Sequence, residues 1–598
     1  MWENKTVSKE LLSGNEAIAQ GAWEAGVAVG VGYPGTPSTE TLENLAKKTD
    51  VYCEWAPNEK VALEVGFGAA IGGVRALVTM KHVGVNVAAD PLLSACNAGV
   101  NGGLVLLAAD DPSIYSSQNE QDSRNYAAFA RVPMLEPSDS AEARAFTMQG
   151  FEISEQFDTP VMVRETVRIA HTKTLVDCGE TRKEASPKPY ENNPAKYVMM
   201  PANAKVRRLV TDQREKDLIA FAESSDLNRI EMRDASIGVI CSGADYMHVR
   251  EALPDASVLK LGISWPLPPE KISSFAASVE NCYVVEEACD YFQLRIRALG
   301  VSLATPPAHA LPPDGELTPQ RIRDAFGIPQ PEHRDPSEGL PPRPPALCPG
   351  CPHRLVYTEL RRLKAIVMGD IGCYTLGAVA PLNSVHSTID MGASLSMAHG
   401  MELAGVPSRN GRPVVGVIGD STFAHSGITS LLGTVYNAGA GTLCILDNRT
   451  TAMTGCQGNP CNGLTLMDSA QKKMGPLDVP RGKDLDLEVL VKALGVTDVR
   501  VVDSQNLKEV RRALKECTSA TDTLSVIIFK SPCRLIDRSR KPAPKIVDCK
   551  ACGVCVQIGC AALGKDEDGK ACIDETQCIG CDQCLQNCAF GCIVREGE

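Results

Sequence analysis

Ten of the 24 cysteines lie between residues 549 and 592. Eight of them form two runs. In each run, two residues lie between the first and second cysteine and between the second and third, and a fourth cysteine follows. Three thiolates at this spacing can bind one cubane cluster, and the fourth cysteine of each run ligates the other cluster. The pattern therefore predicts two 4Fe–4S clusters and one-electron transfer. The predicted ligands are Cys549, Cys552, Cys555 and Cys588 for cluster one, and Cys578, Cys581, Cys584 and Cys560 for cluster two.

Structural zinc is the alternative, because cysteine pairs at this spacing also build zinc ribbons. Zinc usually takes two separated pairs, whereas each run here has three closely spaced cysteines, which favours iron–sulfur clusters. The first run departs from the common pattern, since four residues separate Cys555 from Cys560 and Ala561 stands where proline often follows. We expect this change to reshape the loop at cluster two without removing a ligand.

Size and composition restrict the class of protein. At 598 residues the chain is too long for a single core and indicates about three to five domains. The net charge of −13 argues against nucleic acid as a partner, and no basic tract indicates binding to a membrane surface. We find neither a signal peptide nor an apolar stretch long enough to span a membrane. The remaining cysteines lie scattered, often in apolar runs, as in a reducing interior. These features predict a cytoplasmic protein, and exposed clusters would suit an anaerobe.

Apolar runs alternate with helical patterns along most of the chain, which predicts an α/β fold of several doubly wound parallel-sheet domains. Residues 184–205 and the proline-rich residues 303–346 are predicted to be linkers. The middle domain has few candidate catalytic residues, so we expect it to be a scaffold. The predicted domains are residues 1–183, 206–302, 347–535 and a small cluster-binding domain at 545–598.

Polar side chains follow two predicted strands of the third domain. Asp420 comes after the apolar residues 414–418, and Asn448 after residues 443–446. Ligands bind at the carboxyl ends of parallel strands, and carboxylate and amide oxygens suit Mg2+. The motif resembles the diphosphate-anchoring motif of thiamine-diphosphate enzymes, and that resemblance implies Mg2+ ligands at Asp420, Asn448 and the backbone carbonyl near Thr450. The alternative is a pair of ordinary strand-end turns.

Glu59 opens a predicted helix that is rich in small residues. In thiamine-diphosphate enzymes, a glutamate at this place hydrogen-bonds the aminopyrimidine ring and assists removal of the C2 proton. A simpler interpretation is that Glu59 complements the dipole of its helix. Glu64 on the same helix is a competing candidate.

A Cys348-Pro-Gly-Cys351-Pro-His353 run begins the third domain. It could be half of a zinc site, but no second half follows at comfortable spacing. Further along, glycines at strand-to-helix turns would let backbone amides approach a phosphate. These glycines are Gly369, Gly372 and Gly392.

The order of these motifs along the chain resembles that of the 2-oxoacid:ferredoxin oxidoreductases, with a two-cluster tail fused to the same chain. The resemblance covers essentially the whole sequence. It implies a pyrimidine-binding thiamine-diphosphate domain first, a transketolase C-terminal-like middle domain, a diphosphate- and Mg2+-binding domain third, and a ferredoxin-like tail. The motifs are residues 33–40, 58–60, 348–353, 369–373 and 419–421.

The resemblance also implies roles for individual residues. Thr36 would contact the oxo or carboxylate group of the substrate, and Arg124 would pair with the carboxylate. A surface position in a polar loop is the alternative for Arg124. Residues implied to line the thiamine cofactor are Cys348, Gly350, Cys351, His353, Gly369, Asp370, Gly372, Cys373, Gly392 and Gly419.

The implied reaction is the oxidative decarboxylation of arylpyruvates such as indolepyruvate to aryl-acetyl-CoA and CO2. Coenzyme A would be the co-substrate, ferredoxin the electron acceptor, and a smaller beta subunit the partner, with two copies of each subunit. One alternative is the same chemistry on aliphatic or branched-chain 2-oxoacids. Another is an electron-transfer subunit whose thiamine domains are not catalytic. A non-oxidative decarboxylase is disfavoured because it would not need the cysteine-rich tail.

Overall fold

The computed structural model describes residues 7–48, 50–183, 187–190, 192–332, 337–341, 344–474 and 482–595. The chain forms two compact units. The first unit runs to Glu338 and also includes a helix that begins at Leu466. The second unit begins at Gly339 and contains the rest of the chain. The domain boundaries predicted from the sequence are finer than this division and stay a prediction.

The strands of the first unit come first in chain order. They are β1 (Val7–Ser13), β2 (Val29–Gly32), β3 (Tyr52–Trp55), β4 (Ala76–Lys81), β5 (Leu104–Asp110), β6 (Met134–Leu135), β7 (Val161–Thr166), β8 (Lys173–Gly179), β9 (Asn228–Glu231), β10 (Asp234–Ser242), β11 (Ala256–Leu261), β12 (Ile263–Trp265) and β13 (Asn281–Val284). Its helices are α1 (Gly14–Glu24), α2 (Thr39–Leu45), α3 (Glu59–Ile71), α4 (His82–Val87), α5 (Ala89–Ala98), α6 (Arg124–Ala130), α7 (Ser140–Phe157), α8 (Val167–His171), α9 (Pro194–Tyr197), α10 (Pro201–Ser224), α11 (Gly243–Ala252), α12 (Pro269–Ala277), α13 (Tyr291–Ala298) and α14 (Pro319–Phe326).

The remaining elements belong to the second unit, except α20, which packs with the first. The helices are α15 (His353–Arg362), α16 (Ala393–Leu403), α17 (Val406–Asn410), α18 (Asp420–Thr422), α19 (Ile428–Tyr436), α20 (Leu466–Met474), α21 (Leu487–Ala493), α22 (Leu507–Ser519) and α23 (Gln583–Asn587). The strands are β14 (Ile366–Met368), β15 (Val385–Ser387), β16 (Val414–Gly419), β17 (Gly441–Asp447), β18 (Asp498–Asp503), β19 (Leu524–Lys530), β20 (Lys545–Ile546), β21 (Leu563–Lys565), β22 (Ala571–Ile573) and β23 (Ile593–Val594).

The larger sheet of the first unit has the order β12-β6-β7-β5-β4-β2-β3, and its strands are parallel except β12, which pairs antiparallel with β6. Strands β4, β5 and β7 are buried along their whole length, which is why they appear in the sequence as unbroken apolar runs. One face packs on α1 and α7, and the other on α3 and α5. The predicted doubly wound parallel sheet is confirmed here.

The smaller sheet of the first unit has the order β13-β10-β11-β9, with β9 antiparallel to its neighbour. Two predicted linkers border this part of the chain, and both contain helices. Helix α10 begins at Pro201, inside the first predicted linker. Helix α14 lies inside the proline-rich stretch and buries Ile322 and Phe326 against the smaller sheet. The linker predictions are therefore wrong in these places, because a proline in the first turn of a helix is compatible with helix formation. Residues 184–186, 191, 333–336 and 342–343 of these linkers lie outside the described residues.

The second unit contains a fully parallel sheet of order β15-β14-β16-β17-β19-β18. Beyond it, the cysteine-rich tail forms two antiparallel pairs, β20 with β23 and β21 with β22. These pairs enclose a small core that includes Ile558, Leu563 and Ile593. No helix within the described ranges is long and apolar enough to cross a membrane.

We expect Phe326→Ala to destabilise the part of the first unit that contains the smaller sheet by about 3–5 kcal/mol, the usual cost of truncating a buried phenylalanine. Phe326 is 8% exposed, and its ring meets that of Tyr283 edge to face with the centroids 5.0 Å apart. The measurement is the denaturant dependence of proteolysis within residues 234–326. Phe129→Ala is the control, because that ring is 73% exposed and its loss should change the free energy of unfolding by less than about 0.5 kcal/mol. Equal protease resistance in both variants would show that α14 does not contribute to this core.

Candidate functional site

Glu59 occupies the first position of α3, directly after β3. The Asn58 side chain caps the helix by accepting a hydrogen bond from the Val61 amide at 3.0 Å. The Glu59 side chain is buried, with 5% exposed, and lies against Gly84 of α4. A Cβ atom at Gly84 would lie 2.7 Å from Glu59 Oε1. Glycine at this position therefore leaves the space that the carboxyl group of Glu59 occupies.

Glu64, the competing candidate, lies one turn further along α3. Its side chain is 46% exposed and forms an ion pair with Lys60 on the same helix. A solvated glutamate that is paired in this way is typical of a helix surface. The structure therefore favours Glu59 over Glu64 as the glutamate of a buried site.

Thr36 lies in the loop that follows β2, at the carboxyl edge of the larger sheet. The loop is held by a hydrogen bond from the Gly35 amide to Thr39 Oγ1 at 2.9 Å and by one from Ser38 Oγ to the Gly35 carbonyl at 2.9 Å. Thr36 itself is partly exposed. This placement is compatible with the predicted contact between Thr36 and a substrate, which stays a prediction.

Arg124 is 1% exposed and belongs to a buried ionic network. Its guanidinium donates to Asp122 with an Nη2–Oδ2 distance of 2.6 Å, to Glu286 at 3.4 Å and to the carbonyl of Glu287 at 2.9 Å. Because these acceptors of the chain itself satisfy the guanidinium, little donor capacity is left for a substrate. The predicted pairing of Arg124 with a substrate carboxylate is therefore corrected to a structural role, and the alternative of a surface arginine is wrong as well.

In the second unit, Asp420 follows β16 and Asn448 follows β17, so both lie at the carboxyl edge of the parallel sheet. Asp420 is 2% exposed, and burial together with the nearby Asp447 carboxylate raises its pKa to about 7. The Asn448 side-chain oxygen accepts a hydrogen bond from the Thr450 amide at 3.2 Å, which fixes its orientation. A buried acid whose pKa a second acid raises is a good binding site for a cation. The residues present therefore fit the predicted Mg2+ ligand set.

Two further residues at this edge were not predicted from the sequence to belong to the site. Asp447 is not among the residues predicted from the sequence, yet its carboxylate acts on Asp420, and burial raises its own pKa. Asn459 was not considered, although its side-chain amide reaches Asp420 Oδ2 at 3.4 Å. Because Asn459 lies in the long loop after β17, far from Asp420 along the chain, no spacing in the sequence indicates this contact.

Asp370 follows β14 and is fully buried. Its carboxylate accepts hydrogen bonds from the backbone amides of Ile371 at 2.9 Å, Gly392 at 2.8 Å and Ser394 at 3.1 Å. Burial raises its pKa to about 6, and these amides oppose the shift. Asp370 thus anchors the start of α16. Gly392 adopts φ +93°, and a Cβ there would lie 2.1 Å from Ser426 Oγ, so glycine is required at this turn.

Gly372 is predicted to allow a close approach to phosphate, and Gly419 is implied to line the thiamine cofactor. In the structure both face the ring of Tyr374, since a Cβ at Gly372 or Gly419 would lie 2.3 or 2.5 Å from Tyr374 Cε1. The Tyr374 hydroxyl donates to the carbonyl of Ile371 at 2.7 Å. Packing around Tyr374 therefore accounts for these two glycines, independently of any ligand. Gly369 is restricted in a similar way, because a Cβ there would lie 2.6 Å from Val385 Cγ1.

The Cys348–His353 segment leads into α15. Cys348 is exposed, whereas Cys351 and His353 are buried. Burial raises the pKa of the Cys351 thiol to about 12, and burial lowers the pKa of His353 to about 4, so the imidazole is neutral at physiological pH. The His353 ring meets the Tyr374 ring edge to face with the centroids 6.0 Å apart. This segment therefore lies beside the loop that carries Gly372 and Cys373.

Thiols from separate loops gather around this segment. Burial raises the pKa of Cys373 to about 11, and the thiols of Cys533, Cys348 and Cys456 add to the shift. The pKa of Cys456 is raised by burial and then by Cys533 and Cys348. A group of neighbouring thiols suits a soft metal or an iron–sulfur cluster. The sequence analysis missed Cys456 and Cys533, because they come from loops more than a hundred residues beyond Cys348.

The tail cysteines fall into two sets of neighbours. Burial raises the pKa of the Cys555 thiol, and the thiols of Cys588, Cys549 and Cys552 add to it. The pKa of Cys584 is raised to about 12 by burial and then by Cys581, Cys560 and Cys578. These two sets have the same membership as the ligand sets predicted for cluster one and cluster two.

A cavity in the tail is lined by all four cysteines of the second set, together with Gly350. In the first set, backbone amides approach the sulfur atoms: Ala571 N lies 3.4 Å from Cys549 Sγ, and Cys592 N lies 3.1 Å from Cys588 Sγ. Amides in this position stabilise thiolate ligands. Across the described residues, no three His, Cys, Asp or Glu side chains converge closely enough to hold a metal ion. The thiols are therefore near neighbours rather than a closed ligand shell, and the iron–sulfur assignment stays a prediction.

The second cysteine set packs against the Cys348–His353 segment. A Cβ atom at Gly350 would lie 2.2 Å from Ile579 Cδ1 and 3.2 Å from Cys581 Cβ. The Gln583 side chain donates to the carbonyl of Cys351 at 2.9 Å. Gly350, with φ +70°, is thus the point of close approach between the tail and the edge of the parallel sheet.

Two family models match the regions that contain these sites. The model described as thiamine pyrophosphate enzyme, C-terminal TPP binding domain, matches residues 370–529. The model described as pyruvate flavodoxin/ferredoxin oxidoreductase, thiamine diP-binding, matches residues 20–231. Among solved structures, a 2-oxoglutarate:ferredoxin oxidoreductase from Magnetococcus marinus has a TM-score of 0.44 and 17% identity, covering 54% of this chain and 66% of that one.

Curated relatives match over nearly the full length. The indolepyruvate oxidoreductase subunit IorA of Methanothermobacter marburgensis is 38% identical over 98% of this chain and 97% of its own length. The protein of the same name from Thermococcus kodakarensis is 38% identical over 100% of this chain and 99% of its own. The 2-oxoglutarate synthase subunit KorA of M. marburgensis is 27% identical over 46% of this chain. The chain therefore belongs to the indolepyruvate oxidoreductase IorA family, within the thiamine-diphosphate-dependent 2-oxoacid:ferredoxin oxidoreductases.

Proposed function

We propose that this chain carries the catalytic thiamine site of an enzyme that oxidatively decarboxylates arylpyruvates, indolepyruvate among them. The arylpyruvate and coenzyme A would give aryl-acetyl-CoA, CO2, one proton and two electrons. The electrons would leave through two 4Fe–4S clusters of the tail to ferredoxin. A smaller beta subunit would complete the enzyme, with two copies of each chain.

The observation that carries this proposal is the full-length similarity to relatives named for indolepyruvate, combined with the burial of Glu59 at the predicted position. Those relatives are named as subunits, which supports a partner chain here. The fit of Asp420, Asn448 and Thr450 to a Mg2+ site supports a working cofactor domain rather than a scaffold. This fit argues against the alternative of an electron-transfer subunit with non-catalytic thiamine domains.

Thiamine diphosphate, when bound, supplies an electron sink for the pair released with CO2. Glu59 would donate or accept a proton at its carboxyl group, which the helix start and the space left by Gly84 hold in place. Asp420 and Asn448, with the Thr450 carbonyl, would hold Mg2+ and thereby the diphosphate. Asp370 would keep the start of α16 in position.

The decisive experiment is anaerobic reduction of ferredoxin by the chain together with its beta subunit. Indolepyruvate and coenzyme A are supplied, with and without thiamine diphosphate. Reduction that depends on thiamine diphosphate would support both the reaction and the aryl preference. Activity only with an aliphatic 2-oxoacid would keep the reaction and change the substrate. If no 2-oxoacid supports ferredoxin reduction by a complex that still holds its clusters, the alternative of an electron-transfer subunit is favoured.

Glu59→Gln should lower the rate of CO2 release by about 100-fold or more, because the amide cannot take part in proton transfer. The absorption spectrum of the clusters should be unchanged. Glu64→Gln is the matched control on the same helix, and it should retain the wild-type rate because Glu64 is solvated and paired only with Lys60. Wild-type turnover in Glu59→Gln would remove Glu59 from the mechanism.

Asp420→Asn should weaken Mg2+-dependent binding of thiamine diphosphate by about tenfold or more, as measured by calorimetry on the complex. Without Mg2+, the variant should unfold no more readily than wild type, since one of two mutually repelling buried acids has been neutralised. Asp522→Asn, at an exposed position, is the control. A variant that loses both cofactor binding and stability in the absence of Mg2+ would point to a purely structural aspartate.

Cys552→Ala should remove one cluster from the tail and abolish ferredoxin reduction, while thiamine diphosphate still binds. Cys572→Ala is the matched control, because Cys572 is an exposed tail cysteine outside both neighbour sets. Iron content and electron paramagnetic resonance of the reduced protein give the readout. Full iron content in Cys552→Ala, or a loss of the same size in Cys572→Ala, would contradict the ligand assignment.

A further inference from the structure

Arg124 forms its hydrogen bonds with acids of its own chain. A substrate carboxylate would therefore have to pair with a different cationic side chain. Lys81 ends β4 at the carboxyl edge of the larger sheet, where ligands of parallel α/β sheets bind. The next residue, His82, starts α4, and the helix then brings Gly84 against Glu59. Lys81 therefore lies three residues from the contact that shapes the Glu59 site.

The Lys81 side chain spans the edge of the sheet between two loops. A Cβ atom at Gly35, in the loop that carries Thr36, would lie 3.1 Å from Lys81 Cβ and 3.8 Å from Lys81 Cδ. At its other end, Lys81 Nζ donates to the carbonyl of Ser116 at 2.7 Å. The aliphatic part of the side chain thus packs against the loop that carries Thr36, and the hydrogen bond to Ser116 fixes the ammonium group.

This ammonium group is buried without a carboxylate partner. Lys81 is 7% exposed, and among the described residues no acid forms an ion pair with it. Asp111 is the acid whose charge acts on it, but the Asp111 carboxylate already accepts hydrogen bonds from the amides of Tyr115 at 3.2 Å and Ser116 at 2.8 Å, and from Ser117 Oγ at 2.5 Å. A buried cation without a counter-ion is costly, and it therefore indicates an anionic ligand.

The neighbouring His82 is a second sign of an incomplete polar site. The residue is fully buried, and neither ring nitrogen has a hydrogen-bond partner of acceptable geometry, although the Asn119 backbone lies near the ring. Burial lowers the pKa of His82, so the imidazole is neutral and can donate one hydrogen bond. Two consecutive buried side chains with unused donor capacity are unusual unless a ligand uses it.

We propose that Lys81 binds the carboxylate of the 2-oxoacid substrate. This inference rests on the proposed function and adds to it the residue that recognises the acid group. The cation would draw the acid group to the edge of the sheet beside Thr36, and the hydrogen bond to Ser116 would hold the ammonium group in place.

The test compares Lys81→Met with wild type in the complex with the beta subunit, using two substrates. One is an arylpyruvate, and the other is the corresponding arylacetaldehyde, which presents a carbonyl but no carboxylate. Oxidation of the aldehyde with coenzyme A gives the same thioester, two electrons and two protons, without CO2. For the arylpyruvate, we expect KM to rise about 10- to 100-fold in Lys81→Met, as for the loss of a charged contact, with a smaller change in kcat. For the aldehyde, KM and kcat should be unchanged.

Lys81→Arg should recover part of the affinity, because it keeps the charge. Lys183→Met is the control, since Lys183 is an exposed lysine of the same unit that pairs with Glu152. Equal losses with both substrates in Lys81→Met would mean that Lys81 only supports the fold, and an unchanged KM for the arylpyruvate would equally overturn the proposal.

Calorimetric binding of an unreactive arylpropionate to the thiamine-loaded complex separates this inference from the proposed function. Its dissociation constant should rise about 10- to 100-fold in Lys81→Met but not in Lys183→Met. If wild type binds this acid through Lys81 yet oxidises no 2-oxoacid, the proposed reaction fails and the assignment of Lys81 stands. If binding of the acid is the same in Lys81→Met and wild type, the assignment of Lys81 is wrong.

Discussion

Both parallel sheets bury acidic side chains at the carboxyl ends of their strands, and each buried carboxylate needs compensation. Asp110 at the end of β5 has Arg164, with Nε 2.6 Å from its carboxylate. Asp370 has three backbone amides. Asp420 and Asp447 have neither solution in full: burial and the Asp447 carboxylate raise the pKa of Asp420, and burial raises the pKa of Asp447. The edge of the second sheet therefore combines a structural acid that is satisfied within the chain with acids that a cation would satisfy.

The need to compensate buried carboxylates also explains the structural role of Arg124. Arg124 and Arg164 lie among the carboxylates of Asp122, Glu136 and Glu286, and the Arg124 guanidinium also lies 4.9 Å from the Phe292 ring centroid. Removing one member of such a buried network typically costs about 3–5 kcal/mol, because the partner is left as an uncompensated charge. A residue with that structural role is poorly suited to exchange its partners for a substrate in every turnover. Lys81, which donates to one carbonyl and forms no ion pair with an acid among the described residues, is under no such constraint.

The sequence predicted the buried strands well for a physical reason. A strand covered on both faces must be apolar throughout. The sequence has apolar runs at residues 76–80, 103–109 and 160–164, and the ends of these runs differ by at most two residues from the ends of β4, β5 and β7. Helices α10 and α14 were hidden because prolines in their first turns look like linker signals.

The sequence predicts candidate site residues where a motif is short and local, as at Asn58-Glu59 or in the tail cysteines. Contacts between residues that are far apart in the sequence and meet only through tertiary packing could not be predicted from such motifs. The thiols of Cys373, Cys456 and Cys533 come from three different strand ends, so no spacing relates them. The unpaired state of Lys81 is visible only when the neighbours of its side chain are known.

One buried guanidinium joins the tail to the segment that precedes α15. Arg354 is 1% exposed and donates to the carbonyls of Cys348 at 3.1 Å and Ile558 at 3.1 Å, and also to those of Leu347 and Gly559. All of these acceptors are backbone carbonyls on two segments that this side chain holds together. A planar group with five donors can hold several carbonyls in one geometry, which an ammonium group cannot do. In the proposed function the tail passes electrons on, and because the rate of electron transfer depends steeply on distance, that role would require the tail to be fixed against the edge of the sheet. A rigid arginine contact there gives the cysteine sets a defined position that a flexible linker alone could not.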